Sequence, residues 1–243
     1  MEQRGDQRET SGMAQELSHP AKPWITLPLI LNDRNRLAAG WSMFLASAAL
    51  YLTSNHFHLR EPQHLPLLEV DRWMPFVPES VWIYSSDIPL FISTYIICKE
   101  RLNFNRFFYS FFSLQWTSAF IFTLFPTIYP RDLFPFGDPS LAAGATAWHF
   151  HWLRFADSPA NCFPSLHVST VLLASFVFLD EQREKFRFYF FWAICVVVST
   201  LTTKQHYFWD VMGGALLAVF HFWFFHRKAA YREPEELGAQ AKR

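Results

Sequence analysis

Apolar residues in this chain gather into six runs, over positions 37–53, 81–98, 107–125, 163–179, 186–201 and 207–225. Each is close to the roughly 20 residues that an α-helix needs to cross the hydrocarbon core of a bilayer. The pattern predicts an all-α, polytopic membrane protein, a bundle of six transmembrane helices over 37–225. The first run is short for a span, yet Trp41 and Tyr51 suit the two interfaces. Its rival reading, a signal peptide with Ala46-Ser47-Ala48 as cleavage site, is disfavoured by the long polar lead-in. Before the runs, positions 1–36 read as a largely disordered cytosolic tail, and after them 226–243 read as a second charged tail. The 54–80 connection contains an amphipathic patch at 65–76 with Trp73, expected to lie in the interface. Asp87 lies within the second run, where it either meets a polar partner or reaches water from a helix end. The longest link, 126–162, carries Arg131, His149 and His151, and long loops at membrane mouths often carry function. Gly213-Gly214 in the last run allows a neighbouring helix to approach closely.

Composition strengthens the membrane reading, with 28 Phe and 10 Trp and 51% hydrophobic residues. A net charge of zero gives no argument for a nucleic-acid partner. The distribution of charge is more informative. Of the 21 Lys and Arg residues, sixteen fall in the two tails, the second-to-third link and the fourth-to-fifth link. Only Arg60, Arg72, Arg131, Arg154 and Lys204 fall on the other side. The positive-inside rule then puts both termini in the cytosol and the links before the fourth and sixth runs outside. The expected location is a bacterial inner membrane with a periplasmic site, or an endomembrane with a lumenal one. The three cysteines, Cys98, Cys162 and Cys195, have neither disulfide nor metal spacing.

Two polar constellations sit at the mouths of apolar runs on that outer side. Pro164-Ser165-Leu166-His167 opens the fourth run, and Pro is favourable in the first turn of a helix. Backbone N–H groups there suit a phosphate. His206 and Asp210 open the sixth run, four residues apart, so that on a helix they share a face. Phosphoryl transfer needs positioning and charge neutralisation more than anything else. His206, oriented by Asp210, is the candidate nucleophile, and His167 the candidate acid and base. Arg131, Ser165 and Lys204 are candidates for holding phosphate oxygens. Blander readings exist for each piece, since a His at a helix start or a His/Asp pair is often only a satisfied structural contact. A zinc site finds no third ligand at suitable spacing, and neither a metal nor a cofactor is expected. A Ser-His-Asp hydrolase is disfavoured because Ser165 and His167, two apart, do not face each other on a helix. His149 and His151 are left open as site-lining residues.

At these motifs the chain resembles the type 2 phosphatidic acid phosphatase superfamily, the histidine phosphatases related to vanadium haloperoxidases. The middle motif, Pro-Ser-Gly-His, is similar to Pro164-Ser165-Leu166-His167, and the last, Ser-Arg-x5-His-x3-Asp, to Ser199-Thr200 followed by His206 and Asp210. Thr200 replaces the motif's Arg and Leu166 its Gly, and the first motif, Lys-x6-Arg-Pro, is absent. The Phe125-Pro126, Pro130-Arg131 and Lys204-Gln205-His206-Tyr207 stretches look closest to the branch containing inositol phosphorylceramide synthases. The resemblance implies a metal-free lipid phosphatase working through a phosphohistidine on a lipid phosphate or phospholipid in the bilayer. The alternatives are a phosphotransferase using an alcohol acceptor, and a non-catalytic membrane protein that kept the fold.

Overall fold

The structure is a computed structural model that describes residues 23–131, 144–156 and 160–240. Expectations that fall on 1–22, 132–143, 157–159 and 241–243 lie outside the described residues. Strand β1 (Ile25–Pro28) is followed by helices α1 (Arg36–His56), α2 (Glu69–Trp73), α3 (Val81–Tyr84), α4 (Asp87–Ile97) and α5 (Arg101–Leu124). Then come α6 (Gly144–Ala156), α7 (Leu166–Phe176), α8 (Arg183–Thr202), α9 (Phe208–Trp223), strand β2 (Ala229–Arg232) and α10 (Pro234–Gln240).

The helical reading holds, and its segmentation is finer than the apolar runs suggested. Among the described residues, three helical segments are long and apolar enough to cross a membrane: Arg36–His56, Arg183–Thr202 and Phe208–Lys228, the last including a π-helical turn after α9. At about 1.5 Å per residue, such segments reach about 30 Å, the thickness of a hydrocarbon core. Their outward faces are apolar too: Leu37, Trp41 and Leu45 on α1, Phe188 and Phe191 on α8, and Leu216 and Phe220 on α9 are all exposed. Helices that are apolar all round are those of a membrane or a deep core. These features are compatible with a membrane protein. The second run is broken at Ser85 and Ser86 into α3 and α4, and α7 accounts for only part of the fourth run.

The break in the second run has a local cause. Asp87 opens α4, its Oδ1 accepting the Ile88 N–H at 2.7 Å. A carboxylate at a helix N-terminus is favoured by the dipole and by the unpaired amides there.

Helix α7 is central, packed by α4, α5, α8 and α9. Gly213 and Gly214 explain its closeness to α9. A Cβ on Gly214 would lie 2.6 Å from the Ser165 carbonyl oxygen, and one on Gly213 would lie 2.6 Å from the Phe163 ring. The neighbour expected from the glycine pair is therefore the start of α7 itself.

The described parts of the two tails, 23–36 and 226–240, contain regular structure. β1 and β2 pair in parallel, Ile25 opposite Ala229 through Pro28 opposite Arg232. Arg101, at the start of α5, clasps both: it donates to Leu31 O at 3.0 Å and pairs with Glu233 at 2.6 Å. The start of α1 and the end of α9 consequently lie on one face of the bundle. Two four-residue strands that meet only across the whole chain leave no local periodicity to read.

Candidate active site

His167 and His206 are brought face to face, with ring centroids 5.9 Å apart and planes at 59°. Their supports come from different parts of the chain. Ser165 caps α7, its Oγ accepting the Val168 N–H at 3.3 Å, and its own N–H donates to the Asp210 carbonyl at 3.0 Å. So Pro164 precedes the cap and does not occupy the first turn, because Ser is the better N-cap. The cap stitches the helix bearing His167 to the one bearing Asp210.

His206 lies two residues before α9, not on it. Its Nδ1 is 3.2 Å from Asp210 Oδ2, which also accepts the Tyr207 N–H at 2.8 Å. The pairing expected from a shared helical face is made instead by a carboxylate folding back over the helix start, as in a capping box. With Nδ1 so held, Nε2 is the ring nitrogen left for chemistry.

His167 also has a carboxylate, although none stands at helical spacing in its own segment. Its Nε2 is 3.5 Å from Asp87 Oδ2, and its Nδ1 is 3.2 Å from the Tyr84 hydroxyl. The Tyr84 ring lies against the imidazole, centroids 4.2 Å apart. Both readings of Asp87 thus hold: it is at a helix end, and it meets a polar partner. Its place inside an apolar run was the signal that pointed to it, whereas Tyr84 gave none.

Arg131, Cys162, Leu166, His167, Gln205 and His206 line one small cavity. Two of the expected phosphate contacts are placed elsewhere. Ser165 is fully buried and spends its oxygen on the cap. Lys204 is buried, and its ammonium donates to the carbonyls of Asp71, at 2.7 Å, and Met74. Burial pushes the Lys204 pKa below the usual lysine value, and the Asp71 carboxylate opposes that shift. Lys204 also takes a left-handed backbone, φ 55°. Asp71, which sequence reasoning passed over, caps α9 through Oδ1 and the Phe208 N–H at 2.7 Å. Lys204 and Asp71 together brace the link that carries His206.

His149 and His151 do not line this cavity. His149 is 2.7 Å from Ser85 Oγ and stacks on Trp82, so it fastens α6 beside the α3–α4 break. His151 is exposed. The fold does assemble a group that sequence spacing missed: ligand atoms of Cys162, His206 and Asp210 all lie within 4.8 Å of one another. A thiol, an imidazole and a carboxylate suit zinc, but the imidazole Nδ1 already meets the Asp210 carboxylate at 3.2 Å.

A helical bundle with two opposed histidines, one paired through Nδ1 to a carboxylate at the start of the last long helix, defines a class of histidine phosphatases and phosphotransferases. Residues 49–224, most of the chain, match the family model of the PAP2 superfamily, and the chain belongs to that superfamily. No curated protein and no solved structure matches it.

Proposed function

We propose that the protein is an integral-membrane, metal-independent lipid phosphatase that works through a phosphohistidine. The observation that supports this most is the opposition of His167 and His206, each backed by a carboxylate, across a cavity that Arg131 also lines. In the first step His206 Nε2 attacks phosphorus, and the P–N bond forms as the ester P–O bond breaks. His167 gives its proton to the departing lipid oxygen. In the second, His167 takes a proton from water, whose oxygen bonds phosphorus as the P–N bond breaks, releasing inorganic phosphate. Asp210 retains the Nδ1 proton of His206 and offsets the positive charge of the phosphorylated ring. Arg131 holds phosphate oxygens as a planar fork. Lys204 and Ser165 serve as brace and cap, and Asp87 with Tyr84 fixes the ring of His167.

The six apolar segments are read as six crossings. The pairing of β1 with β2 supports an even number, since it holds both ends of the membrane domain on one face. With the charge bias this supports a site at the extracytoplasmic mouth. A second reading, transfer to an alcohol, is favoured by an apolar cavity that opens on His167 beside Asp87 and offers a hydroxyl a route to the same base. Within the superfamily, Lys204-Gln205-His206-Tyr207 supports nearness to the inositol phosphorylceramide synthase branch.

Rapid-quench trapping with a labelled lipid phosphate tests the mechanism. His206→Ala is expected to lose both turnover and the acid-labile phosphoenzyme. His167→Ala is expected to slow turnover about 10²–10⁴-fold, the range for a lost general acid, while still trapping phosphoenzyme from p-nitrophenyl phosphate. A phosphoenzyme that persists in His206→Ala and vanishes in His167→Ala reverses the roles.

A further inference from the structure

Helix α6 has two unlike faces. Phe150 and Leu153 are buried in one cluster with Val81 and Tyr84 of α3. Trp148, Trp152 and Phe155, spaced i, i+4 and i+7, form the opposite face and are 66%, 56% and 90% exposed. Three large aromatic side chains on one exposed face mark an interaction surface. With 13 residues the helix is about 20 Å long, too short to cross a bilayer, and its exposed face sets it apart from a core helix. That length and pattern suit an interfacial helix. Trp favours the boundary between headgroups and acyl chains. The polar positions agree: Gly144–Ala156 holds His149, His151 and Arg154 and no Asp or Glu, which suits an anionic lipid surface.

The exposed face runs on into the flank of the bundle. The ring of Trp152 stacks toward that of His149, centroids 6.5 Å apart, and His149 stacks on Trp82 at 4.6 Å. Trp82 in turn lines an apolar groove of about 390 Å³ with Phe188, Phe191 and Trp192 of α8. Helix α8 is one of the segments long and apolar enough to cross a membrane, so a surface continuous with its flank meets the same lipid. The inner side of α6 leads to the site. His149 Nε2 is 2.7 Å from Ser85 Oγ, and Thr146 Oγ1 accepts the Trp82 indole N–H at 3.3 Å. Between these two anchors stands Tyr84, its ring 4.2 Å from that of His167, and two residues beyond Ser85 stands Asp87, 3.5 Å from His167 Nε2. Both groups that hold His167 therefore belong to the segment that α6 clamps.

We propose that α6 docks on the lipid surface nearest the site, with Trp148, Trp152 and Phe155 entering the boundary between headgroups and acyl chains, and that this docking holds Tyr84 and Asp87 against His167. It rests on the reading of His167 as the group that protonates a lipid oxygen. The first arm of the test uses the full chain in nanodiscs of phosphatidylcholine and phosphatidylglycerol, with Phe155 replaced by p-benzoylphenylalanine. Irradiation is expected to give an α6 peptide carrying the mass of a phospholipid. A cross-linked dimer in its place, or no adduct, overturns the docking. The second arm is kinetic. Trp148→Ser combined with Trp152→Ser, and separately His149→Ala, are expected to lower kcat for a lipid phosphate about tenfold, below the 10²–10⁴-fold of a lost general acid. KM is expected to hold, and p-nitrophenyl phosphate to be spared, because its leaving oxygen needs no proton. The Phe155 adduct is expected to persist in His149→Ala, which cuts the clamp and not the surface, and Trp148→Phe with Trp152→Phe is expected to keep the wild-type lipid rate. A raised KM with kcat unchanged, or equal loss on both substrates, overturns the coupling to His167. A wild type that gives the adduct but hydrolyses neither substrate refutes the phosphatase reading and supports the docking, so the two failures are told apart.

Discussion

Asp87 has the most specific consequence of any single residue outside the two histidine motifs. Its carboxylate faces His167 Nε2, so Asp87→Asn is expected to slow hydrolysis of lipid phosphates about 10–100-fold, within or below the range of general acid catalysis. It is expected to spare p-nitrophenyl phosphate, whose leaving oxygen needs no proton; equal loss on both substrates, measured as kcat/KM, contradicts the assignment. Lys204 makes a contrasting case. Its ammonium is held by two carbonyls, so Lys204→Met leaves buried acceptors unpaired and is expected to cost about 1–3 kcal/mol of stability. Thermal unfolding in detergent reads this, and a raised KM with unchanged stability would return Lys204 to the phosphate. The trio Cys162, His206 and Asp210 bears on metals. Turnover is expected to survive EDTA, and added zinc is expected to inhibit by binding Cys162, His206 and Asp210 in place of the hydrogen bond between the last two. Cys162→Ser should relieve that inhibition, and activity that EDTA abolishes and zinc restores rules the mechanism out.

At the scale of elements, the site depends on how α7 meets α9. The Ser165 N–H to Asp210 carbonyl bond and the Gly214 contact fix the start of one helix against the other. Gly214→Leu places a side chain where its Cβ alone falls 2.6 Å from the Ser165 carbonyl, which forces the helices apart. Because a misplacement of about 1 Å can cost about 10²-fold in rate, this variant is expected to lose at least that much activity while still inserting in the membrane. Gly238→Ala, where a Cβ meets nothing within 4 Å, is the control and is expected to be neutral. Activity in Gly214→Leu equal to the control would mean that the contact does not position the site. The glycine pair was visible in the sequence, but its partner helix was not, since close approach is a property of two surfaces.

For the whole molecule, the proposed topology rests on the basic residues and the joined ends. A cysteine introduced at Ala145, on a chain freed of Cys98, Cys162 and Cys195, is expected to react with an impermeant maleimide in intact cells; reaction only after permeabilisation reverses the orientation. The sequence by itself determined the helical class and the apolar segments, because hydropathy and helical period are local properties; it also paired His206 with Asp210, but through a shared helical face where the structure uses a carboxylate folding back over the helix start. It also marked Asp87 as a charge in the wrong solvent, without naming its partner. Only the tertiary structure decided that Asp87 and Tyr84 meet His167, that the Lys204 ammonium donates to the Asp71 and Met74 carbonyls, and that Ser165 is a cap. It alone joined β1 to β2 and set Cys162 beside His206. Apart from the local Ser165 cap, each of these contacts joins segments far apart in the chain, and its energy depends on which surfaces pack together. A one-dimensional pattern records which residues must be buried or paired, and the packed bundle determines with what.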